Sequence, residues 1–173
     1  MKLSERTASH RKTLCAQYIE SASGILHLGA HLGHEAAEHS RFDKPVVCIE
    51  AIPEIHAQLA EHLRKFERQR SLCALLGNID GERRSFFISN NSKGVSSSLF
   101  RFGAFGEGAR SLWPQHGLRM VDSIDLQTIT LDTLFDSHGI NARDYNYWVV
   151  DLQGAEKLAL SGAMRSLRDC RAL

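Results

Sequence analysis

The fold is decided by residues 24–35, Gly24-Ile25-Leu26-His27-Leu28-Gly29-Ala30-His31-Leu32-Gly33-His34-Glu35. Ile25 to Leu28 is a short apolar run of the kind that makes a buried strand, and Gly29 and Gly33 mark a turn into a helix. In an α/β domain that succession lets backbone amides approach a ligand and presents the N-terminus of the next helix to it. The spacing Gly-Ala-His-Leu-Gly falls short of the GxGxxG dinucleotide fingerprint, which disfavours a nucleotide-binding oxidoreductase. The glycine pair alone admits two readings: a turn that supports a cofactor, and an ordinary strand-to-helix turn whose glycines serve close packing.

Outward from this stretch, strands and helices alternate. Val46 to Ile49 is a second β-branched run, entered through Pro45 and ending at Glu50. Pro53 suits the first turn of a helix in which Ile55, Leu59, Leu63 and Phe66 recur at helical spacing, with Arg64, Lys65, Glu67 and Arg68 on the wet side. Ser71 to Leu76 is read as a third strand, Asp80-Gly81 as a turn, and Arg84 to Ser89 as a strand pairing back on it. Residues 90–117 are rich in Ser, Gly and Asn, with Phe100, Phe102, Phe105 and Trp113 interleaved. They make either a functional loop or a surface excursion anchored by its aromatics. Ile124 to Thr130 is strand-like, and Leu131 to Phe135 opens a short helix. Tyr147 to Val150 is an apolar strand ending at Asp151, and Gln153-Gly154-Ala155-Glu156 leads into a helix with Ala155, Ala159, Gly162 and Ala163 on one close-packing face. Upstream, Leu14, Tyr18 and Ala22 form one apolar stripe of a helix. The order predicts an α/β, doubly wound, mostly parallel sheet over residues 25–173, preceded by a helical extension over residues 1–24.

Composition narrows the function classes. The chain has 173 residues, 43% of them hydrophobic, enough for one domain with a real core. Lys and Arg number 21 against 20 acidic residues, and the formal charge of +1 argues against a nucleic-acid surface. Cys15, Cys48, Cys73 and Cys170 form no CxxC pair, and two of them lie in apolar runs where a free thiol packs as a small hydrophobe; the expected setting is reduced and cytoplasmic. No run approaches the roughly 18 apolar residues of a membrane helix, and the N-terminus lacks the apolar stretch of a signal peptide. His27, His31 and His34 fall within eight residues. They sit on a strand, in a turn and at a helix start, a distribution that argues against a metal site.

In a parallel sheet, ligands lie outside the carboxyl ends of the strands, where this chain offers the Gly29–Gly33 turn, Glu50 and Asp151. Glu50, about 20 residues after the glycines, is placed to accept hydrogen bonds from a ribose diol, or else to cap the helix at Pro53.

Six segments in order carry a resemblance: ILHLGAHLGHE (25–35), VVCIEAIPEIHAQL (46–59), LLGNIDGERRSFF (75–87), GVSSSL (94–99), ITLDTLF (129–135) and YWVVDLQGAEKLALSGA (147–163). From about Ile25 to Leu167 the chain resembles the FkbM family of S-adenosylmethionine-dependent methyltransferases. The resemblance implies a Rossmann-like class I methyltransferase fold, S-adenosylmethionine as methyl donor, and O-methylation of a hydroxyl on a sugar or natural-product-like acceptor. It places Gly29, Ala30 and Gly33 in the turn supporting the donor's methionine part; His31, by its own place in that turn, is read as a ligand-contacting residue. Glu50 falls on the acid that takes the ribose hydroxyls, and Ala51 near the adenosine. Asp151, Gly154 and Glu156 match the family's DxxGxE block beside the transferable methyl, which makes Asp151 the expected base or hydroxyl-orienting group, or else a capping carboxylate. Ser97 and Ser98 belong to a serine-rich loop at the active-site mouth.

Two positions depart from the family pattern. His27 stands where the family has an Asp two residues before the first glycine, and a neutral imidazole cannot balance the donor's ammonium as a carboxylate does. The chain reaches Leu173 where the fold's fifth strand would be starting, so the strand at 147–150 is expected to have an uncovered neighbour side through which copies could associate. These departures keep a rival reading alive, a non-catalytic cofactor-binding or interaction module.

Overall fold

The structure, a computed structural model, describes residues 16–103 and 117–173. After the helical residues 16–21 (α1) come β1 (Ile25–Leu28), α2 (Ala36–Ser40), β2 (Val46–Glu50), α3 (Pro53–Leu63), β3 (Gln69–Cys73), β4 (Leu75–Leu76) and β5 (Arg83–Ser89). β6 (Met120–Ile129), α4 (Leu131–Ser137), β7 (Tyr147–Val150) and α5 (Glu156–Ser161) complete the order. One sheet runs β3-β2-β1-β7 with every pair parallel, Ile25 lying between Val46 and Tyr147 and Leu28 between Ile49 and Val150.

Alternation along these strands decides which helix covers which face. Leu26, Leu28, Val47, Ile49 and Trp148 pack with Leu131, Leu134 and Phe135 of α4 and Ala159 of α5. Ile25, Val46 and Cys48 pack with Ile19 of α1, Ala36 of α2, and Leu59 and Leu63 of α3. Helices thus lie on both faces, the doubly wound arrangement, and the two inner strands are buried throughout.

A second sheet runs β4-β6-β5, with β4 parallel and β5 antiparallel to β6. Two expectations are corrected here. Residues 71–76 do not form one strand: the chain breaks at Ala74, whose N–H donates to Glu50 O at 3.0 Å, and Leu75 and Leu76 pass to the second sheet. Both leucines are buried there, opposite Thr128 and Ile129 of β6. Nor does β5 pair back on the strand before it, because the ten-residue β6 lies between β4 and β5 and offers β5 a full ladder.

The helical stripe upstream is also rotated. Tyr18 is 54% exposed, and Ile19 and Ala22 are the buried residues, so the side chain without a hydroxyl takes the core position. Leu14, Cys15, Phe105 and Trp113 lie outside the described residues. Cys48 is buried as expected, whereas Cys73 is exposed on β3, at the end of the first sheet. The outer side of β7 is not bare along its whole length: Ala172 forms a parallel bridge with Tyr147, and Trp148 N donates to Ala172 O at 2.9 Å.

Candidate active site

The carboxyl ends of β1, β2 and β7 converge at one cleft. Gly29 has φ +84°, and a Cβ there would lie 1.9 Å from Asp151 O, so the turn after β1 is pressed against the turn after β7. No other residue fits that position. Gly29 N and Ala30 N both donate to Ile49 O, at 2.9 and 3.0 Å, which anchors the turn to β2. Ala30 is buried beneath the turn, and Gly33 makes room for Leu59 of α3.

Glu50 ends β2 with a buried carboxylate held by two backbone amides. Oε2 accepts from His31 N at 3.0 Å, and Oε1 accepts from Ile52 N at 2.9 Å. One bond per oxygen leaves each with a further acceptor position. The acid therefore shapes the turn at residue 31 and the entry to α3, while keeping capacity for two donors from a ligand.

At the end of β7 a second turn is built by Glu156, whose Oε1 accepts from Leu152 N at 3.0 Å and Gly154 N at 3.1 Å. This holds Gln153 in the left-handed region at φ +53°, from where its side-chain amide donates to Asp151 Oδ1. Asp151 is exposed and lines a cleft also bordered by Gly29 and Glu50.

The cleft encloses about 50 Å³, and about 560 Å³ of atom-free space once its open mouth is counted. Ile52, Leu75, Phe86 and Leu99 give it an apolar wall, and Gly94, Val95 and Ser97 come from the loop after β5. Of the residues singled out from sequence, Gly29, His31, Glu50, Ala51, Ser97 and Asp151 line it together. Ala30, Gly33 and Ser98 do not, and they support it from behind. Ser98 Oγ donates to Gln153 O at 2.8 Å and accepts from Phe100 N at 3.1 Å, so this hydroxyl ties the loop to the β7 turn, while Ser97 Oγ accepts from Ser89 N at 3.0 Å. The apolar wall escaped the sequence reading, although the adjacent leucines at 75 and 76 were a signal of a strand changing sheets. For Val95 no sequence signal exists.

His27 is turned away from the cleft. Its Nδ1 lies 3.4 Å from His39 Nε2 of α2, the two rings meeting edge to face. Burial pushes the His27 pKa down from 6.5 to about 4, the nearby His39 adds to the fall, and Glu35 opposes it. His39 is lowered as well, chiefly by its own burial. The expectation that residue 27 faces a donor's ammonium is thus corrected: alternation along β1 points it at α2. Among the described residues, no group of three His, Cys, Asp or Glu side chains is arranged to hold a metal.

The profile of the methyltransferase FkbM domain matches residues 27–173. The chain belongs to the FkbM methyltransferase family. Searches of curated proteins and of solved structures found no match. An FkbM methyltransferase domain accounts for the mostly parallel sheet with helices on both faces, and for a cleft at the carboxyl ends of its strands. No helix among the described residues is long and apolar enough to cross a membrane.

Proposed function

We propose that this methyltransferase transfers the methyl group of S-adenosylmethionine to a hydroxyl of a small-molecule or glycan acceptor. The observation that carries the reading is Glu50: a buried carboxylate at the end of β2, fixed by two amides, with one acceptor position left on each oxygen. Two adjacent hydroxyls of a ribose are the complement of such a group. The apolar wall of Ile52, Leu75, Phe86 and Leu99 suits a base, and Gly29 borders the same cleft.

When bound, S-adenosylmethionine supplies an electrophilic methyl on a sulfonium leaving group. The work left to the protein is positioning: bringing a hydroxyl to about 3 Å from the methyl and receiving its proton. Asp151 is the proposed residue for the second task, its carboxylate oriented by the Gln153 amide. Ser97 borders the acceptor side. A cytoplasmic location belongs to the same proposal, supported by Cys48, Cys73 and Cys170 all being free.

Calorimetric titration of S-adenosylmethionine against NAD, followed by radiolabelled methyl transfer to a panel of hydroxylated sugars, tests this. Binding of the first ligand with transfer is expected; NAD binding in its place overturns the reading. A second reading is a cofactor-binding module without catalysis; His27, which packs on His39 away from the cleft, does not bear on it. Binding without transfer to any acceptor would support it.

A further inference from the structure

His31 joins the glycine turn to the loop that roofs the cleft. Its Nε2 lies 3.2 Å from Lys93 O. A carbonyl oxygen only accepts, so in the neutral ring the proton is on Nε2, and Nδ1, buried and without a partner, is left as a lone-pair acceptor. Residue 31 is itself left-handed at φ +47°, with its N–H spent on Glu50. Among the described residues, the hydrogen bond of this ring therefore runs to the loop.

The loop has a pinned base and a strained tip. At the base Ser89 N donates to Ser97 Oγ at 3.0 Å, Ser96 N donates to Ser89 Oγ at 3.1 Å, and Phe87 and Ser98 exchange two backbone bonds of 2.8 and 3.0 Å. At the tip Ser92, Lys93 and Gly94 are left-handed in succession, with φ of 39°, 61° and 84°. Two of these carry side chains, and such a run persists only where its surroundings hold it. Among the described residues two hydrogen bonds tie it to the body: His31 Nε2 to Lys93 O, and Lys93 Nζ to Gln58 Oε1 at 3.0 Å. The second is exposed to solvent and correspondingly weak.

Gly94 and Val95 of this tip border the cleft, which encloses about 50 Å³. Small-molecule sites occupy roughly 300–1,000 Å³. Displacing a tip hinged on residues 89 and 97 widens the cleft on that side, and it must break the His31 contact together with the exposed Lys93–Gln58 contact.

We propose that His31 is a positioning residue that latches the loop tip, residues 91–95, over the cleft, so that ligand enters and leaves by breaking the His31–Lys93 contact. The occupant's identity rests on the methyl-donor reading; the latch does not. Gly94 N and Val95 N donate to Asn91 O and Ser97 N donates to Gly94 O; the left-handed run at 92–94 keeps these bonds only while its contacts to the body hold it, so loosening the tip frays them and their hydrogen exchange reports it. The full chain is compared with His31→Asn and His31→Gln. Asn tolerates the left-handed backbone but is too short to reach Lys93 O, whereas Gln places an amide donor at the Nε2 position.

In His31→Asn, exchange at residues 94, 95 and 97 is expected to quicken about fivefold, the effect of one lost hydrogen bond on a local opening, with the amides of β1 and β2 unchanged. In His31→Gln it returns close to the wild-type rate. Dissociation of S-adenosylmethionine, measured by stopped flow, should quicken in Asn by a similar factor and recover in Gln. Wild-type exchange in His31→Asn, or equal exchange in both variants, overturns the latch. If the wild-type protein fails to bind S-adenosylmethionine, the donor reading falls while the exchange comparison still decides the latch.

Discussion

Replacing Glu50 has two separable consequences. The carboxylate accepts from His31 N and Ile52 N inside a buried site, so Glu50→Ala leaves both N–H groups without partners. An unsatisfied buried donor costs about 1–3 kcal/mol, which makes the loss about 2–6 kcal/mol against a total stability of roughly 5–15 kcal/mol. Glu50→Gln keeps the shape but turns one of the two amides toward an NH₂ group, and the expected loss is about 1–3 kcal/mol. The same substitution removes one of the acceptors offered to a ribose. A hydrogen bond to a charged group contributes about 1.5–3 kcal/mol, so the affinity for S-adenosylmethionine should fall at least about tenfold. Urea unfolding without ligand measures the first effect, and calorimetric titration of folded Glu50→Gln measures the second. A less stable variant with an unchanged dissociation constant would refute the ribose assignment and leave Glu50 as a brace between two turns. An unchanged unfolding midpoint would refute the hydrogen-bond account itself.

Three further outcomes follow from the geometry. His27, with its pKa lowered to about 4 from 6.5, binds more protons unfolded than folded between those values, so stability should be full above about pH 6.5 and fall as pH drops toward 4. The loss approaches about 3 kcal/mol, and urea midpoints across that window should flatten in His27→Gln; an identical pH slope counts against the buried imidazole pair. Gly29→Ala should abolish or severely destabilise the fold, by about 3 kcal/mol or more, since a Cβ 1.9 Å from Asp151 O at φ +84° demands that β1 and β7 separate; a wild-type melting temperature would contradict this. Asp151→Asn should slow methyl transfer by about 10²–10⁴ while changing S-adenosylmethionine affinity little, because its exposed carboxylate is proposed to act on the acceptor's proton; undiminished transfer would remove it from the mechanism.

What could be read from the chain alone was local. The apolar runs at 25–28, 46–49 and 147–150 and the 3.6-residue spacing of Ile55, Leu59 and Leu63 are short-range patterns, and β1, β2, β7 and α3 formed where those patterns stand. Once the sheet is parallel, Glu50 and Asp151 must lie at the same end of it, because each directly follows or closes a strand of the same direction. Tertiary structure decided the rest. The break at Ala74 and the place of β6 between β4 and β5 depend on pairing with a strand distant in sequence, which no window of neighbouring residues contains. His27 faces His39 and not the cleft because strand alternation and the docking of α2 set its direction, and Ser98 was spent on Gln153 because the loop folded back upon the β7 turn. Chemistry and spacing are properties of the chain, but the direction of a side chain and the partner of a strand are settled by packing between segments far apart in sequence.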